Sequence, residues 1–268
     1  MIAVIGSGPA GISAATYIKR ANMPVMILTN HKSSLLKAKA IENYYGVGKI
    51  SGENLYHQGL TNALALDIPI VEDEIVNISI DPMVVEGLED TYHCDAIILA
   101  TGSSEVKSNI PGVAEFEGKG VSYCATCDGY FFKNKKIVVI GNGEYAKHEY
   151  EYLKNISSDI TLVSADTIKT IAGNDSVEKL ILNGGTEMLA DGIFIAENYP
   201  DSSILAKKIG LLERNGRIGA DEQMKTNIPG IFVCGDITVG PKQIAKAVYE
   251  GMIAANNAIL FYKENKKD

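Results

Sequence analysis

The N-terminal segment restricts the fold more than any other part of the chain. Ile2–Ile5 is a short apolar run that leads into Gly6-Ser7-Gly8-Pro9-Ala10-Gly11, and a helical pattern follows to about Ala21. This is G-x-G-x-x-G placed after a strand and at the opening of a helix, the setting that gives the motif its mechanism. Gly6 permits a tight turn, Gly8 lets the backbone approach a pyrophosphate, and Gly11 lets helix and strand pack closely while the helix N-terminus faces the phosphate. A second apolar strand, Val25–Leu28, follows. The acid that usually binds a ribose beyond that strand is absent. The chain reads Leu28-Thr29-Asn30, which leaves Thr29 or Asn30 as the polar candidate.

Residues 124–129 read Cys-Ala-Thr-Cys-Asp-Gly. With two residues between them, the sulfurs of Cys124 and Cys127 can close a small disulfide loop. Such a pair exchanges disulfides, because the enclosed geometry and a lowered thiol pKa favour attack by a thiolate. Asp128 follows at once and could shuttle the proton that a leaving thiolate needs. The plainer alternative, half of a zinc site, needs a second Cys or His pair at ligand spacing. Cys94 and Cys234 stand singly in apolar runs, and His31, His57, His93 and His148 are scattered.

Two further segments favour a flavin. Ile97–Gly102 is an apolar strand ending in Ala100-Thr101-Gly102, and Ile231–Asp236 reads Ile-Phe-Val-Cys-Gly-Asp before a helix that begins near Lys242. In that arrangement Gly235 allows close cofactor approach and Asp236 can bond a ribityl hydroxyl. Each has a plainer reading, a strand-ending turn for Thr101-Gly102 and an Asp cap for Gly235-Asp236. The three segments in order are what points to one cofactor.

Composition narrows the class. The 268 residues are 46% hydrophobic with a formal net charge of −8. That suffices for a real core and argues against nucleic acid or an anionic membrane as partner. Four cysteines are too few for a disulfide framework and fit a reducing, cytoplasmic setting. Met1 runs directly into a strand with no basic stretch, so no secretory leader is expected. No apolar run reaches the roughly 18 residues a membrane helix needs.

Taken together, Gly6–Gly11, Glu42-Asn43-Tyr44-Tyr45-Gly46, Ala100-Thr101-Gly102, Cys124–Gly129 and Ile231–Ala255 resemble the low-molecular-weight thioredoxin reductases, FAD-dependent disulfide reductases. The resemblance implies an α/β chain of two Rossmann-like three-layer domains. A discontinuous FAD domain, residues 1–112 and 219–268, would carry an inserted CxxC domain, 113–218. Breaker clusters at Ile110-Pro111-Gly112 and Asn227-Ile228-Pro229-Gly230 lie close to the two crossings. Ile70–Leu99 reads as a meander of short strands with turns at Asp81-Pro82 and Glu89-Asp90. The resemblance also implies roles. Cys127 would sit against the flavin and receive its electrons, Cys124 would attack the protein substrate, and Asp128 would be the acid–base group. Gly6, Gly8, Pro9, Ala10, Gly11, Asn43, Thr101, Gly102, Gly235, Asp236, Lys242, Gln243 and Ile244 would hold FAD, with Gln243 near the isoalloxazine ring unless it is a plain polar first-turn residue. Thioredoxin is the implied acceptor and a homodimer the implied assembly.

The inserted segment departs from the family. Gly141-Asn142-Gly143-Glu144-Tyr145-Ala146 follows the apolar run Lys136–Ile140, so the frame of a second nucleotide site survives as G-x-G-x-x-A. Glu144, however, stands at a helix N-terminus where a pyrophosphate needs positive potential. A carboxylate there can occupy the free amides and repels phosphate, and Tyr145 adds bulk. Where the family carries a His-Arg-Arg cluster for a 2′-phosphate, the chain reads Ser164-Ala165-Asp166-Thr167-Ile168-Lys169. Glu197 replaces the glycine of an expected Gly-x-x-Pro turn in Ala196–Asp201, and Val163–Phe194 looks short. Asp166 is the counter-signal, an acid about 20 residues beyond a glycine loop, as for NADH.

The chain thus resembles the subgroup that lacks a nicotinamide site and takes electrons from ferredoxin. The expected path is ferredoxin to FAD, FAD to Cys124–Cys127, and the dithiol to thioredoxin. Rival expectations are an NAD(P)H-dependent thioredoxin reductase, an FAD dithiol oxidase, and a flavin redox-sensing binding module without turnover. Lys133, Lys135 and Lys136 could attract an acidic partner, though a solvated turn is the plainer reading. Phe261 and Tyr262 read as core, and Lys263–Asp268 as a frayed tail.

Overall fold

The computed structural model describes residues 1–102, 108–198, 202–215 and 217–266, and the side chains of Ser202 and Ser203 are not described. The chain forms two compact units, 1–104 with 201–268, and 105–200.

The first unit is built on five parallel strands. β1 (Ile2–Ile5) lies between β2 (Val25–Thr29) and β7 (Ala96–Leu99), with β3 (Ile70–Glu72) and β17 (Ile231–Val233) at the edges. Ile2 pairs with Val25 on one side and Ala96 on the other. All of β1, β7 and β17 is buried, which is why they read as unbroken apolar runs. Successive side chains point to opposite faces. Ile2 and Val4 pack with α1 (Pro9–Arg20) and α7 (Ile244–Asn265). Ala3 and Ile5 pack with an antiparallel meander of β4 (Ile75–Ile80), β5 (Met83–Gly87) and β6 (Thr91–His93). Alanines line the α1–α7 seam, Ala10, Ala14 and Ala15 against Ala254, Ala255 and Ala258. The meander is therefore shorter than Ile70–Leu99, because β3 and β7 hydrogen-bond into the parallel sheet. A further helix, α2 (Gly52–Ala65), starts at Ser51, whose hydroxyl accepts from Asn54 N.

The second unit has a parallel sheet in the order β10 (Ile160–Val163), β9 (Ile137–Ile140), β14 (Gly192–Ile195), β8 (Val121–Ser122). A meander of β11 (Ile168–Gly173), β12 (Val177–Leu182) and β13 (Glu187–Leu189) shares its core through Ile171, Val177 and Leu180. α3 (Val113–Phe116), α4 (Ala125–Asp128) and α5 (Glu144–Lys154) complete it. Between Val163 and Phe194 the connection is one helical turn at Ala165–Thr167 and the three meander strands.

The compact units divide at 104 and 201, whereas the family resemblance implies crossings at 112 and 219. α6 (Ser202–Lys208) and the hairpin β15 (Glu213–Arg214)–β16 (Arg217–Ile218) belong to the first unit, because Leu205, Ile209, Leu211 and Ile218 complete the core under its sheet. The C-terminal tail is not frayed where described. α7 runs to Asn265, and Lys266 Nζ lies 3.1 Å from Asp95, which also takes the N-terminal ammonium. Phe261 and Tyr262 pack against the core, Phe261 edge-on to Phe232. Lys267-Asp268 and the Tyr199-Pro200-Asp201 end of the expected turn lie outside the described residues. Among the described residues no helix is long and apolar enough to cross a membrane.

Candidate functional site

The first unit carries a cradle. Gly6 turns the chain at the end of β1 with φ 109°, and a Cβ there would strike the Ala100 carbonyl. Pro9 opens α1, where its missing N–H costs nothing. No side chain caps that helix and no acid sits in its first turn, so the Ala10 and Gly11 amides keep their positive potential for an anion. Thr101 Oγ1 is buried with no hydrogen-bond partner among the described residues. Asn43 Nδ2 donates to Gln243 Oε1 at 3.0 Å, joining segments 200 residues apart. Gln243 is the N-cap of α7, and Ile244 packs on the small cluster of Leu35, Ile41 and Tyr56. Lys242 is exposed, Asp236 half-buried and Gly235 buried, while Gly102 takes φ 76°. An uncapped anion site, an orphan hydroxyl and polar groups gathered from four segments fit FAD.

Thr29 is not available as the ribose ligand. It is buried, its hydroxyl shares a hydrogen bond with Ser7 Oγ at 2.6 Å, and it accepts from His31 N. Asn30 donates instead to Glu74.

Sequence reasoning missed a buried ion pair behind Gly235. Glu250 Oε2 accepts Gly235 N–H at 2.9 Å and lies 3.2 Å from Lys246 Nζ, which donates to the Gly235 carbonyl at 2.8 Å. Both peptide groups of that glycine are thus held by one side of α7. The available signal is a Lys–Glu pair at i,i+4 on the same helix face as Ala247, Gly251 and Ala254.

The second unit carries the disulfide. Cys124 caps α4 and Cys127 lies within it. The two are bonded with Cα atoms 5.3 Å apart, and Cys127 N–H points at Cys124 Sγ at 3.1 Å. Cys124 is 5% exposed and Cys127 is half-buried. Ser122, also missed, joins the pair to its carboxyl. Its hydroxyl donates to Asp128 Oδ2 at 2.6 Å and accepts Cys124 N–H at 3.0 Å. Glu149, missed as well, is 2% exposed and accepts Ala125 N–H at 3.1 Å. Beyond Asp128, Tyr130 and Phe131 are 73% and 72% exposed, with Lys133 over the Tyr130 ring and Lys135 over Phe132. The remaining thiols are poor nucleophiles. Burial pushes Cys94 up to about 11, and burial with Glu250 beside it holds Cys234 above the ordinary thiol range.

The second glycine loop keeps its frame. A Cβ on Gly141 would meet the Ala196 carbonyl and Ala146. Glu144 does not cap its helix, contrary to expectation. Its carboxylate turns outward to Lys147 at 2.6 Å. Tyr145 is buried and stacks on His148. Glu197 follows Ala196, and its Oε2 is buried with no hydrogen-bond partner among the described residues. Asp166 is exposed and accepts the Ser164 hydroxyl.

The chain matches the family of pyridine nucleotide-disulphide oxidoreductases over residues 1–167 and 147–251. It is 31% identical to a thioredoxin reductase of Listeria innocua serovar 6a over 308 aligned residues, covering 99% of this chain and 95% of that protein. The alignment exceeds the 268 residues of the chain, so the relative holds segments absent here. Among solved structures, the atypical thioredoxin reductase TRi of Desulfovibrio vulgaris Hildenborough superposes with a TM-score of 0.90 at 32% identity, covering 98% of each chain. A ferredoxin-flavin thioredoxin reductase of Clostridium acetobutylicum superposes with a TM-score of 0.74 at 31% identity, covering 100% of this chain and 98% of that one.

Proposed function

We propose that this chain, which belongs to the pyridine nucleotide-disulphide oxidoreductase family and is a thioredoxin reductase-type flavoprotein disulfide reductase, takes its electrons from reduced ferredoxin and delivers them to thioredoxin. The observation that carries the donor assignment is the pair of carboxylates at the second glycine loop. Glu144 stands at the helix N-terminus and Glu197 follows the strand that packs on Gly141. Both oppose a pyrophosphate, and the turn after β10 offers Ser164 and Asp166 in place of guanidinium groups. The likeness to a ferredoxin-flavin thioredoxin reductase supports the same reading.

When bound, FAD supplies a store that accepts electrons singly and gives them up as a pair. The chain's own residues do the rest. The α1 amides and Gly8 would hold the phosphates, Thr101 and Asp236 would bond polar atoms of the cofactor, and the Asn43–Gln243 bridge fixes the opening of α7. In the reduced pair, the Cys124 thiolate attacks one sulfur of the thioredoxin disulfide and expels the other as a thiolate. The Asp128 carboxylate takes the proton of the Cys127 thiol and passes it to that thiolate. The Cys127 thiolate then attacks Cys124, restoring the Cys124–Cys127 bond and releasing the second thioredoxin sulfur as a thiolate. Ser122, bonded to both Asp128 and the Cys124 amide, keeps the proton donor beside the sulfur it serves. Tyr130 and Phe131 offer a protein-sized acceptor an exposed aromatic face. A homodimer and a cytoplasmic setting are carried into this proposal from the family resemblance.

The test is anaerobic bleaching of the FAD-loaded protein by NADPH, NADH and enzymatically reduced ferredoxin in separate cuvettes. Bleaching by ferredoxin alone is the expected result. Rapid bleaching by either nicotinamide would overturn the donor assignment and leave the disulfide reductase standing.

A further inference from the structure

We infer that Glu149 is a positioning residue for the redox disulfide, and that its buried carboxylate keeps the reduced Cys124–Cys127 pair strongly reducing. The inference rests on reading Cys124–Cys127 as the redox pair. α5 is polar over most of its surface, and its inward side chains are Tyr145, Ala146, Glu149 and Leu153. Three of these suit a packed face. The fourth is a carboxylate with 2% exposure, an expensive group to bury unless hydrogen bonds or a counter-charge compensate it. Part of its compensation comes from the redox turn. Oε2 accepts the N–H of Ala125, the residue after Cys124 and the first of α4, at 3.1 Å. Oε1 lies 3.4 Å from Nδ1 of the half-exposed His148. A side chain from another helix thus fixes the turn that sets the spacing of the two sulfurs.

The electrostatic consequence has a definite sign. The disulfide is neutral, whereas the reduced pair carries a thiolate in the pH range where it reacts. A buried negative charge one residue from Cys124 disfavours that thiolate. The reduced state is therefore less stable relative to the disulfide, and the potential falls, the converse of an oxidant whose reduced form is stabilised. Asp128 acts in the same direction, but it is half-buried and bonded by Ser122. A low potential suits a pair that must hand electrons on to another disulfide.

The test is a redox equilibrium on the full-length, FAD-loaded protein at pH 8: protein disulfide plus reduced dithiothreitol against protein dithiol plus oxidised dithiothreitol. The cysteines are trapped by alkylation under anaerobic conditions and the Cys124–Cys127 peptide is read by mass. Glu149→Gln keeps an oxygen for the Ala125 amide and removes the charge. Its equilibrium is expected to move about tenfold toward the dithiol, or ~30 mV for this two-electron couple. Glu149→Asp, which keeps the charge, is expected to stay near wild type. Glu149→Leu is expected to speed hydrogen exchange at the Ala125 amide as well as shift the equilibrium. An E149Q midpoint equal to wild type overturns the inference, as does an E149D midpoint shifted as far as that of E149Q. A wild-type pair that never exchanges with dithiothreitol would instead sink the reading of the disulfide itself.

Discussion

The two glycine loops of this chain, Gly6–Gly11 and Gly141–Ala146, have nearly the same backbone and opposite chemistry. Each follows a fully buried strand of a parallel sheet, each opens a helix with no side-chain cap, and in each the first glycine abuts a carbonyl of a neighbouring strand's end. The first loop has no charge in its opening turn and faces an orphan hydroxyl on Thr101. The second has Glu144 in that turn, the buried Tyr145 next to it, and Glu197 directly after the Ala196 carbonyl that Gly141 abuts. The frame of a nucleotide site and its affinity are therefore specified separately. Strand burial and close-packed glycine make the frame, whereas on the proposed reading the sign of the charge around the amides decides whether phosphate enters.

On the proposed electron path, Cys124–Cys127 takes the electrons that reach FAD at the first loop. Replacing Cys124 by Ser is expected to lower thioredoxin reduction by at least about a thousandfold, the scale seen when a nucleophile is removed. Flavin bleaching by the donor should be unchanged. Normal turnover in that variant would mean that electrons leave by another route.

A matched pair of substitutions tests the loops directly. In Gly11→Ala the new Cβ would run into the Gly6 carbonyl. Overpacking against backbone costs ~1–3 kcal/mol, so FAD affinity is expected to fall roughly tenfold to a hundredfold, read as flavin absorbance per chain at fixed FAD. Ala146→Gly at the equivalent place in the second loop should leave flavin content at the wild-type level. Flavin loss from A146G would break the division of labour between the loops.

A smaller effect sharpens the electrostatic half of the comparison. Each carboxylate near a helix N-terminus is worth about 0.3–1 kcal/mol against an anion. The double change Glu144→Gln, Glu197→Gly is therefore expected to tighten ADP-ribose binding by roughly threefold to thirtyfold in calorimetric titration. Ferredoxin-driven turnover should not change. Tightening of a hundredfold or more would mean that these two carboxylates alone had closed a complete site.

What was legible in the sequence was what local pattern controls. The β1–loop–α1 unit, the CxxC turn and the degenerate second loop all follow from residues adjacent in the chain. The second crossing at 219 was carried over from the family resemblance, and Pro229-Gly230 marks only a turn near it. The tie of α6 to the first unit, by contrast, depends on Leu205 and Ile209 meeting a sheet some 200 residues upstream. Thr29 looked free to bind a ribose because nothing local places Ser7 against it. Ser122, Glu149, Lys246 and Glu250 were invisible for the same reason, since each acts on a backbone or carboxyl group that only the fold brings near. The sequence signals available were acids on inward helix faces, at Glu149 and Glu250, and the i,i+4 pairing of Lys246 with Glu250.

The finest test of the first loop is Thr101, because its substitution has opposite signs with and without cofactor. Thr101 Oγ1 is buried and finds no hydrogen-bond partner among the described residues. A buried unsatisfied hydroxyl costs ~1–3 kcal/mol, and a nearly isosteric methyl removes that cost. Thr101→Val is therefore expected to raise the melting temperature of the apoprotein by roughly 2–4 °C, the shift that ~1 kcal/mol gives in a chain of this size. With FAD present the hydroxyl has a partner to lose. One net hydrogen bond is worth about 0.5–1.5 kcal/mol, so FAD should bind roughly threefold to tenfold more weakly, measured by flavin fluorescence on dilution. The matching result would place Thr101 in the cofactor shell, since a residue that only packs moves both states together. A fall in apoprotein stability with unchanged FAD affinity would show that the hydroxyl serves the strand-ending turn, and would remove the orphan donor from the chemistry that separates the first loop from the second.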